Sequence, residues 1–199
     1  MAPDPDAALM LAFQRGDSTA FRALYERHAR AMVAFCHRFV KDPARAEELA
    51  QDVFVKLHRS ASGYSPRARF KTFLYRVATN TCLNELRRGE YAAREASHGP
   101  GGEDAAPDLD ALPSQAASPH QALEAGRLAA AVTALLARLP EKQRAAFVLC
   151  RFEGLSYEEI AEALETSVSA VKSLVHRATV AAAEALAPFG PAVETGATP

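Results

Sequence analysis

The chain of 199 residues has no tryptophan and only three cysteines. Cys36, Cys82 and Cys150 are far apart and odd in number, so they predict neither a disulfide framework nor a zinc site. Cys36 precedes His37, but a small buried thiol is a better interpretation of it than half of a metal site. No apolar run approaches the roughly 20 residues of a membrane-spanning helix, and residues 1–6 lack the segments of a signal peptide. We therefore expect a cytoplasmic protein without membrane insertion.

Patterns that carry enzyme chemistry are also missing. The sequence contains no glycine-rich phosphate-binding loop, no cluster of metal ligands and no convincing Ser/His/Asp set. Carboxylates are plentiful, but they fall on the predicted exposed faces of helices. We therefore predict that the protein is not an enzyme and has no catalytic residues, no metal or cofactor and no small-molecule substrate.

Charge is distributed unevenly along the chain, although the formal net charge is only −1. Residues 1–88 carry 15 Lys and Arg against 9 Asp and Glu, residues 89–120 carry 1 against 6, and residues 121–199 carry 7 against 9. The hydrophobic content of 49% is sufficient for packed cores. A basic block followed by an acidic block indicates a segmented chain in which one part meets a polyanion.

Strand patterns are almost absent, and apolar residues instead recur at spacings of three and four, which predicts an all-α fold. Capping residues predict helix starts at Asp17 and at Asp42, where Pro43 occupies the first helical position. A further basic helix is predicted from about Arg67 to Arg88, and Gly89 provides a natural stop.

The segment 89–120 interrupts this helical pattern. Gly, Pro, Ser, Ala and acidic residues dominate it, and such a segment cannot bury enough apolar area to offset its ordering entropy. We interpret it as a flexible linker between two small helical domains, residues 1–88 and 121–187, and residues 188–199 as a short tail.

The second domain contains the pattern of a helix-turn-helix. Ser156 and Glu159 fit a capping box at the start of one short helix, and Ser167 fits a cap for a longer one. Polar residues spaced three and four apart share the outer face of the longer helix, where major-groove readout needs hydrogen-bond donors. They are Ser169, Lys172, Ser173, His176 and Arg177. The pattern favours DNA binding over an ordinary solvated helix face.

Two sets of motifs occur in order along the chain. The first comprises Asp42, residues 46–49 (AEEL), 51–54 (QDVF), 70–78 (FKTFLYRVA), Asn80 and 86–88 (LRR). The second comprises Leu139-Pro140, Arg144, residues 152–161 (FEGLSYEEIA), 170–173 (AVKS) and 176–178 (HRA). Together they resemble regions two and four of sigma factors of the extracytoplasmic-function group, over about residues 7–88 and 121–187. Phe73 stands where that family usually has Trp, and it keeps an aromatic ring.

The resemblance implies an alternative sigma factor with two helical domains. Residues 1–88 would be region two, which binds core RNA polymerase and recognises and melts the minus-ten promoter element. Residues 121–187 would be region four, which recognises the minus-thirty-five element. The implied partners are core RNA polymerase, promoter DNA and an anti-sigma factor.

The resemblance also assigns roles to three surfaces. Polymerase binding falls on one helix face with Glu48, Gln51 and Asp52, which on pattern alone is a solvated acidic face. Minus-ten DNA would meet basic, aromatic and amide side chains. These are Tyr64, Arg67, Arg69, Arg76, Asn80 and Asn84. Minus-thirty-five DNA would meet Arg151, Lys172, Ser173, His176 and Arg177.

Two alternatives stay open on the sequence alone. A stand-alone helix-turn-helix activator is the alternative function, but its first half should contain the strands of a receiver or ligand domain, and this half is helical and basic. The acidic linker 89–120 either occupies a basic channel of the polymerase, as the resemblance implies, or is a plain tether.

Overall fold

The computed structural model describes residues 4–66, 69–96 and 119–190. Within these ranges the chain forms eight α-helices and two short 3-10 turns and contains no β-strand, which confirms the predicted all-α class. The helices are α1 (Pro5–Gln14), α2 (Ser18–Val40), α3 (Pro43–Ser60), α4 (Phe70–Ala96), α5 (Pro119–Arg138), α6 (Glu141–Arg151), α7 (Tyr157–Ala163) and α8 (Val168–Leu186). Arg67, most of the predicted linker and the end of the predicted tail lie outside the described residues.

Side-chain caps determine where several helices begin. The carboxylate of Asp17 accepts hydrogen bonds from two backbone N–H groups in the first turn of α2, and Asp42 accepts one at the start of α3. Ser156 and Glu159 form both halves of a capping box at α7, and Ser167 caps α8. All of these predicted helix starts are confirmed.

Helices α1 to α4 form the N-terminal bundle, whose core consists of large side chains. Phe35 contacts both Phe39 and Tyr75, with ring centroids 5.1 Å apart in each pair. The largest fully buried side chains of this bundle are Phe35, Phe39, Phe70, Met10, Leu24, Met32, Leu49, Leu57, Leu74 and Val53. Each contributes about 1.5–3 kcal/mol through removal of its apolar surface from water.

Helix α1 is not predicted by the sequence patterns, because long-range contacts hold it. The side chain of Asp4 caps α1 and also accepts a hydrogen bond of 2.8 Å from the backbone N–H of Phe70 at the start of α4. At the other end, the amide of Gln14 donates to the carbonyl oxygens of Ala61 and Tyr64 at 2.6 and 2.8 Å. Contacts across 47 to 66 residues leave no local signal in the sequence.

Helix α4 is longer than predicted. The expected stop at Gly89 is wrong, because the helix continues to Ala96 and Gly89 is not among the positive-φ residues. A glycine inside a helix costs about 1 kcal/mol relative to alanine, which is too little to end a helix that continues into the helix-favouring sequence EYAAREA. The predicted domain boundary after Arg88 therefore falls inside α4.

Helices α5 to α8 form the C-terminal bundle, whose core contains many small residues. The buried set combines the small residues Ala145, Ala146, Ala161, Ala163, Ala178 and Ala182 with the larger Leu135, Leu136, Leu139, Phe147, Val148, Leu149, Leu155, Ile160, Val171, Val175 and Leu186. Small side chains allow α6, α7 and α8 to approach one another closely. Gly154 adopts a left-handed conformation (φ 65°) between α6 and α7, which only glycine adopts at little cost.

The two bundles pack against each other, with α4 beside α6 and α7 and α2 beside α5 and α6. Arg144 is buried at this boundary. Its guanidinium donates to the carbonyl oxygen of Phe39 on α2 at 3.2 Å and to that of Ala137 on α5 at 3.1 Å. Arg144 thus joins the C-terminal bundle to α2, while α4, which carries the predicted minus-ten strip, lies beside α6 and α7.

Candidate nucleic-acid interface

The predicted polymerase-binding residues lie on the exposed side of α3. Glu48, Gln51 and Asp52 are all exposed. Arg45 donates to Glu48 at 2.5 Å and to Glu85 of α4 at 2.8 Å, and these two carboxylates raise the pKa of Arg45. Asp52 is exposed and forms no ion pair within the described residues.

An apolar hollow adjoins this acidic face. It is lined by Phe21, Tyr25, Gln51, Phe54, Val55, His58 and Arg59. Tyr25 and Val55 are 44% and 46% exposed, which is high for large apolar side chains. The exposure of Val55 can be predicted from the sequence, because Val55 falls outside the buried stripe of α3. The exposure of Tyr25 cannot, because Tyr25 follows the apolar stripe of α2.

Three of the predicted minus-ten residues form a strip along α4. Arg76, Asn80 and Asn84 are four residues apart and therefore share a helix face, and both asparagines are exposed. The guanidinium carbon of Arg76 lies 5.2 Å from the ring centroid of Phe73, which orients it. An oriented guanidinium beside two open amides can hydrogen-bond to base edges and phosphates.

The other three predicted minus-ten residues differ from this strip. Tyr64 is buried, its ring packs against Phe73 with centroids 5.1 Å apart, and burial raises its pKa. In this conformation Tyr64 supports the loop from within, and its contact with DNA stays a prediction. Arg69 is exposed over 66% of its side chain and lies 3.7 Å from Glu159 of α7. Arg67 lies outside the described residues.

Glu153, in the turn after α6, contacts both α2 and α4. Its carboxylate accepts hydrogen bonds from the hydroxyl of Tyr75 and, at 3.2 Å, from Arg38. Its backbone carbonyl accepts from Nζ of Lys71 at 2.5 Å. Burial, with the adjacent Glu153, raises the pKa of Tyr75 far above its ordinary value, so this hydroxyl remains a donor. These contacts of Glu153 cannot be predicted from the sequence pattern, because its partners are 78 to 115 residues away along the chain.

The predicted recognition face of α8 is open to solvent. Its exposed residues are Ser169, Lys172, Ser173, His176 and Arg177, and Arg151 at the end of α6 is exposed as well. The hydroxyl of Ser173 donates to the carbonyl oxygen of Ser169 at 3.2 Å, so part of its hydrogen-bonding capacity is already used. Lys172 and Arg177 are exposed and form no ion pair in the part of the chain that the structure describes, and their contact with DNA stays a prediction.

Cys36 and Cys82 are fully buried, with Sγ atoms 3.7 Å apart, so the interpretation of Cys36 as a buried thiol is confirmed. The contact with Cys36, together with burial, raises the pKa of Cys82. No three His, Cys, Asp or Glu side chains of the described ranges come together as metal ligands. None of the helices described is both long and apolar enough to cross a membrane.

Comparison with known proteins gives the same family for both halves of the chain. Residues 24–90 match the family model described as Sigma-70 region 2, and residues 129–180 match the one described as Sigma-70, region 4. The chain is 33% identical to the RNA polymerase sigma-H factor of Pseudomonas aeruginosa, over 95% of this chain and 97% of that protein. It is 34% identical to the ECF RNA polymerase sigma factor SigE of Mycolicibacterium smegmatis, over 81% of this chain and 61% of that protein.

A solved structure shares the fold. It is that of the sigma factor RpoE in complex with the anti-sigma factor NepR from Bartonella quintana, with a TM-score of 0.63. The match covers 84% of this chain and 96% of that one at 20% sequence identity, so it supports the fold alone.

Proposed function

Since the chain belongs to the extracytoplasmic-function group of the sigma-70 family, we propose that its two bundles divide promoter recognition between them. The protein is an alternative sigma factor that binds core RNA polymerase and directs promoter-specific transcription initiation. Its family consists of DNA-binding transcription regulators that are not known as enzymes. The N-terminal bundle acts as region two and the C-terminal bundle as region four. Its place of action is the cytoplasm, with the polymerase, and an anti-sigma factor is a further partner.

One observation carries this assignment: the molecule exposes an acidic face on one bundle and a basic face on the other. Glu48, Gln51 and Asp52 suit a basic protein helix, which is the complementary charge. Lys172 and Arg177 suit the major groove of the minus-thirty-five element. An activator that works alone needs the second face and has no use for the first.

Promoter melting falls to α4 and the loop before it. Unstacking a base costs a few kcal/mol, and a protein offsets that cost by hydrogen-bonding the extruded base. Asn80 and Asn84 offer amides for base edges, while Arg76 and Arg69 supply positive charge for the strand. Tyr64 belongs to the segment before this helix, and Arg67, which lies outside the described residues, is a further candidate for the strand.

The experiment that tests the function measures binding to core polymerase. A double charge reversal, Glu48→Lys with Asp52→Lys, should weaken holoenzyme assembly, because a basic polymerase helix would then meet like charges. Fluorescence anisotropy with labelled protein and purified core polymerase gives the dissociation constant. Circular dichroism checks that the variant is folded, which is expected because both side chains are exposed.

A matched control carries the same change of net charge elsewhere. Glu162→Lys with Glu184→Lys reverses two exposed acids of the C-terminal bundle and should leave assembly close to that of the parent. Equal polymerase affinity for the two double variants would refute the α3 interface. Tight binding of the free protein to duplex promoter DNA, without polymerase, would instead favour the stand-alone activator.

A further inference from the structure

The two ends of α1 contact the backbone at two places around the start of α4. At the C-terminal end of α1, the side-chain amide of Gln14 donates to the carbonyl oxygens of Ala61 and Tyr64 at 2.6 and 2.8 Å. At the N-terminal end, Oδ2 of Asp4 accepts from the backbone N–H of Phe70 at 2.8 Å. One helix of ten residues therefore positions both Tyr64, in the segment before α4, and the first residue of α4.

Helix α1 is itself fixed to α2. The carboxylate of Asp6 pairs with Arg27, and its Oδ2 lies 2.9 Å from Nε2 of His28. Asp6 and His28 are only 15% and 17% exposed. Met10, between the two ends of α1, is fully buried in the N-terminal bundle. Because α1 cannot shift without breaking these contacts, Gln14 makes its hydrogen bonds from a fixed position.

The contacts of Gln14 and Asp4 do more than complete the core. Gln14 is exposed, so its side chain adds little buried apolar surface, and its amide instead determines where two carbonyl oxygens lie. The two oxygens of Asp4 have separate partners. Oδ1 accepts from two backbone N–H groups at the start of α1, at 3.0 and 3.3 Å, and Oδ2 faces Phe70. The local cap therefore orients the carboxylate toward α4.

We infer that Gln14 and Asp4 are positioning residues for recognition of the minus-ten element, acting through Tyr64 and the first turn of α4. The inference rests on the proposed minus-ten role of α4. Groups that distinguish one base from another must be held to within about 0.5 Å. Arg69 directly precedes Phe70, whereas Asn80 lies farther along the helix. Loss of the two contacts should therefore reduce discrimination between minus-ten sequences and leave the rest of α4 in place.

Gln14→Glu tests the inference, because it keeps the length of the side chain but replaces the amide donor with a carboxylate that cannot donate to a carbonyl oxygen. The measured quantity, in reconstituted holoenzyme, is the ratio of promoter opening on the minus-ten sequence that the parent prefers to opening on single-base substitutions of it. The ratio should fall about fivefold, which is the change expected for the loss of about one hydrogen bond. Assembly with core polymerase should stay at the parental level. Gln14→Lys again places a donor near the carbonyl oxygens and should restore the ratio.

Asp4→Ser tests the other end of α1. A serine hydroxyl still caps α1, but its single oxygen cannot also accept from the N–H of Phe70. The ratio should fall as it does for Gln14→Glu. Circular dichroism should show a parental helix content for both variants, because the cap of α1 is kept in one and an exposed residue is changed in the other.

Arg15→Gln is the matched control for Gln14→Glu, since it changes the net charge by the same amount at the neighbouring exposed position. Its ratio should equal that of the parent. Parental ratios for both Gln14→Glu and Asp4→Ser would overturn the inference, and so would an equal loss of opening on all minus-ten sequences, which is the result expected of a purely structural contact. A parent holoenzyme that opens all minus-ten sequences alike would instead refute the proposed role of α4 itself.

Discussion

Helices α4 and α8 are both proposed to meet DNA, but they are held in place differently. Helix α4 buries large side chains such as Phe70 and Leu74, and a distant carboxylate, that of Asp4, bonds to its first N–H group. Helix α8 buries only small or β-branched residues such as Val171 and Ala178 along most of its length, and the adjacent Ser167 caps it.

The two proposed DNA-binding surfaces also differ in their surroundings. At the N-terminal end of α4, Lys71 contacts the other bundle and Arg69 lies 3.7 Å from Glu159, whereas the predicted recognition face of α8 is solvent-exposed. A change near the start of α4 can therefore affect the core and the packing of the bundles as well as the proposed DNA contact. A change on the outer face of α8 affects DNA contact alone.

The largest expected effect is a loss of folding stability when a buried side chain of α4 is truncated. Phe70→Ala should lower the free energy of unfolding by about 3–5 kcal/mol, because it removes a fully buried ring and leaves a cavity. Val171→Ala on α8 removes two methyl groups and should cost about 2 kcal/mol. Urea denaturation measures both. Equal losses would mean that the two helices do not differ in their share of the core.

The next effect concerns promoter opening. Asn80→Ala removes an exposed amide from α4 and leaves Leu74 and the rest of the core intact. The free energy of promoter opening should rise by about 1–3 kcal/mol, because the lost base-edge hydrogen bonds no longer offset the cost of unstacking. Permanganate footprinting of unpaired thymines reports opening directly. A template already mismatched at the minus-ten element should restore activity; opening of ordinary duplex at the parental rate would show that Asn80 is misassigned.

On α8, Lys172→Ala and Arg177→Ala should each weaken promoter use without changing stability. The loss is about 1–3 kcal/mol where the contact is bidentate to guanine, and it is then specific to one base position. A phosphate contact would instead weaken all sequences alike. In vitro transcription from wild-type and base-substituted promoters distinguishes the two, with Val180→Ala, an exposed position on the same helix, as control. Full activity of both variants would show that this face of α8 does not recognise the promoter.

The smallest effect tests the local cap. Ser167→Ala should destabilise the protein by about 1 kcal/mol, because a backbone N–H of α8 loses the hydroxyl that accepts from it. Ser173→Ala, on the exposed part of the same helix, should change stability by less than about 0.5 kcal/mol. Thermal unfolding resolves the difference. Identical midpoints would mean that packing alone fixes the start of α8.

The sequence predicts those parts of the fold whose causes lie within a few residues. Asp17, Asp42, Ser156 and Ser167 are readable as caps because each acts on the turn that follows it. Apolar spacing likewise predicts which sides of the helices are buried. The predicted end of α4 is wrong because one glycine costs less than the helix-favouring residues after it contribute.

The contacts between bundles cannot be predicted in this way. Glu153 is an ordinary acidic residue in the sequence, and only the packed molecule brings Arg38 and Tyr75 to its carboxylate. The same holds for Tyr64, which belongs to a polar loop by pattern and is buried by the rings around it. Exposure of Asn80, Lys172 and Arg177 follows from helix periodicity, so those candidate positions are on the surface as expected.

The double role of Asp4 has a consequence for the order in which the chain folds as it is made. Its Oδ1 caps the first helix locally, but its Oδ2 can accept from the backbone N–H of Phe70 only after residue 70 has left the ribosome, so the contact between α1 and α4 must wait for more than sixty residues of synthesis. The caps of α7 and α8 close over three residues, as soon as each segment emerges. Long-range closure is slow and local closure is fast. Translation speed across residues 14–70 therefore governs how long the apolar side chains of the N-terminal bundle stay exposed to chaperones.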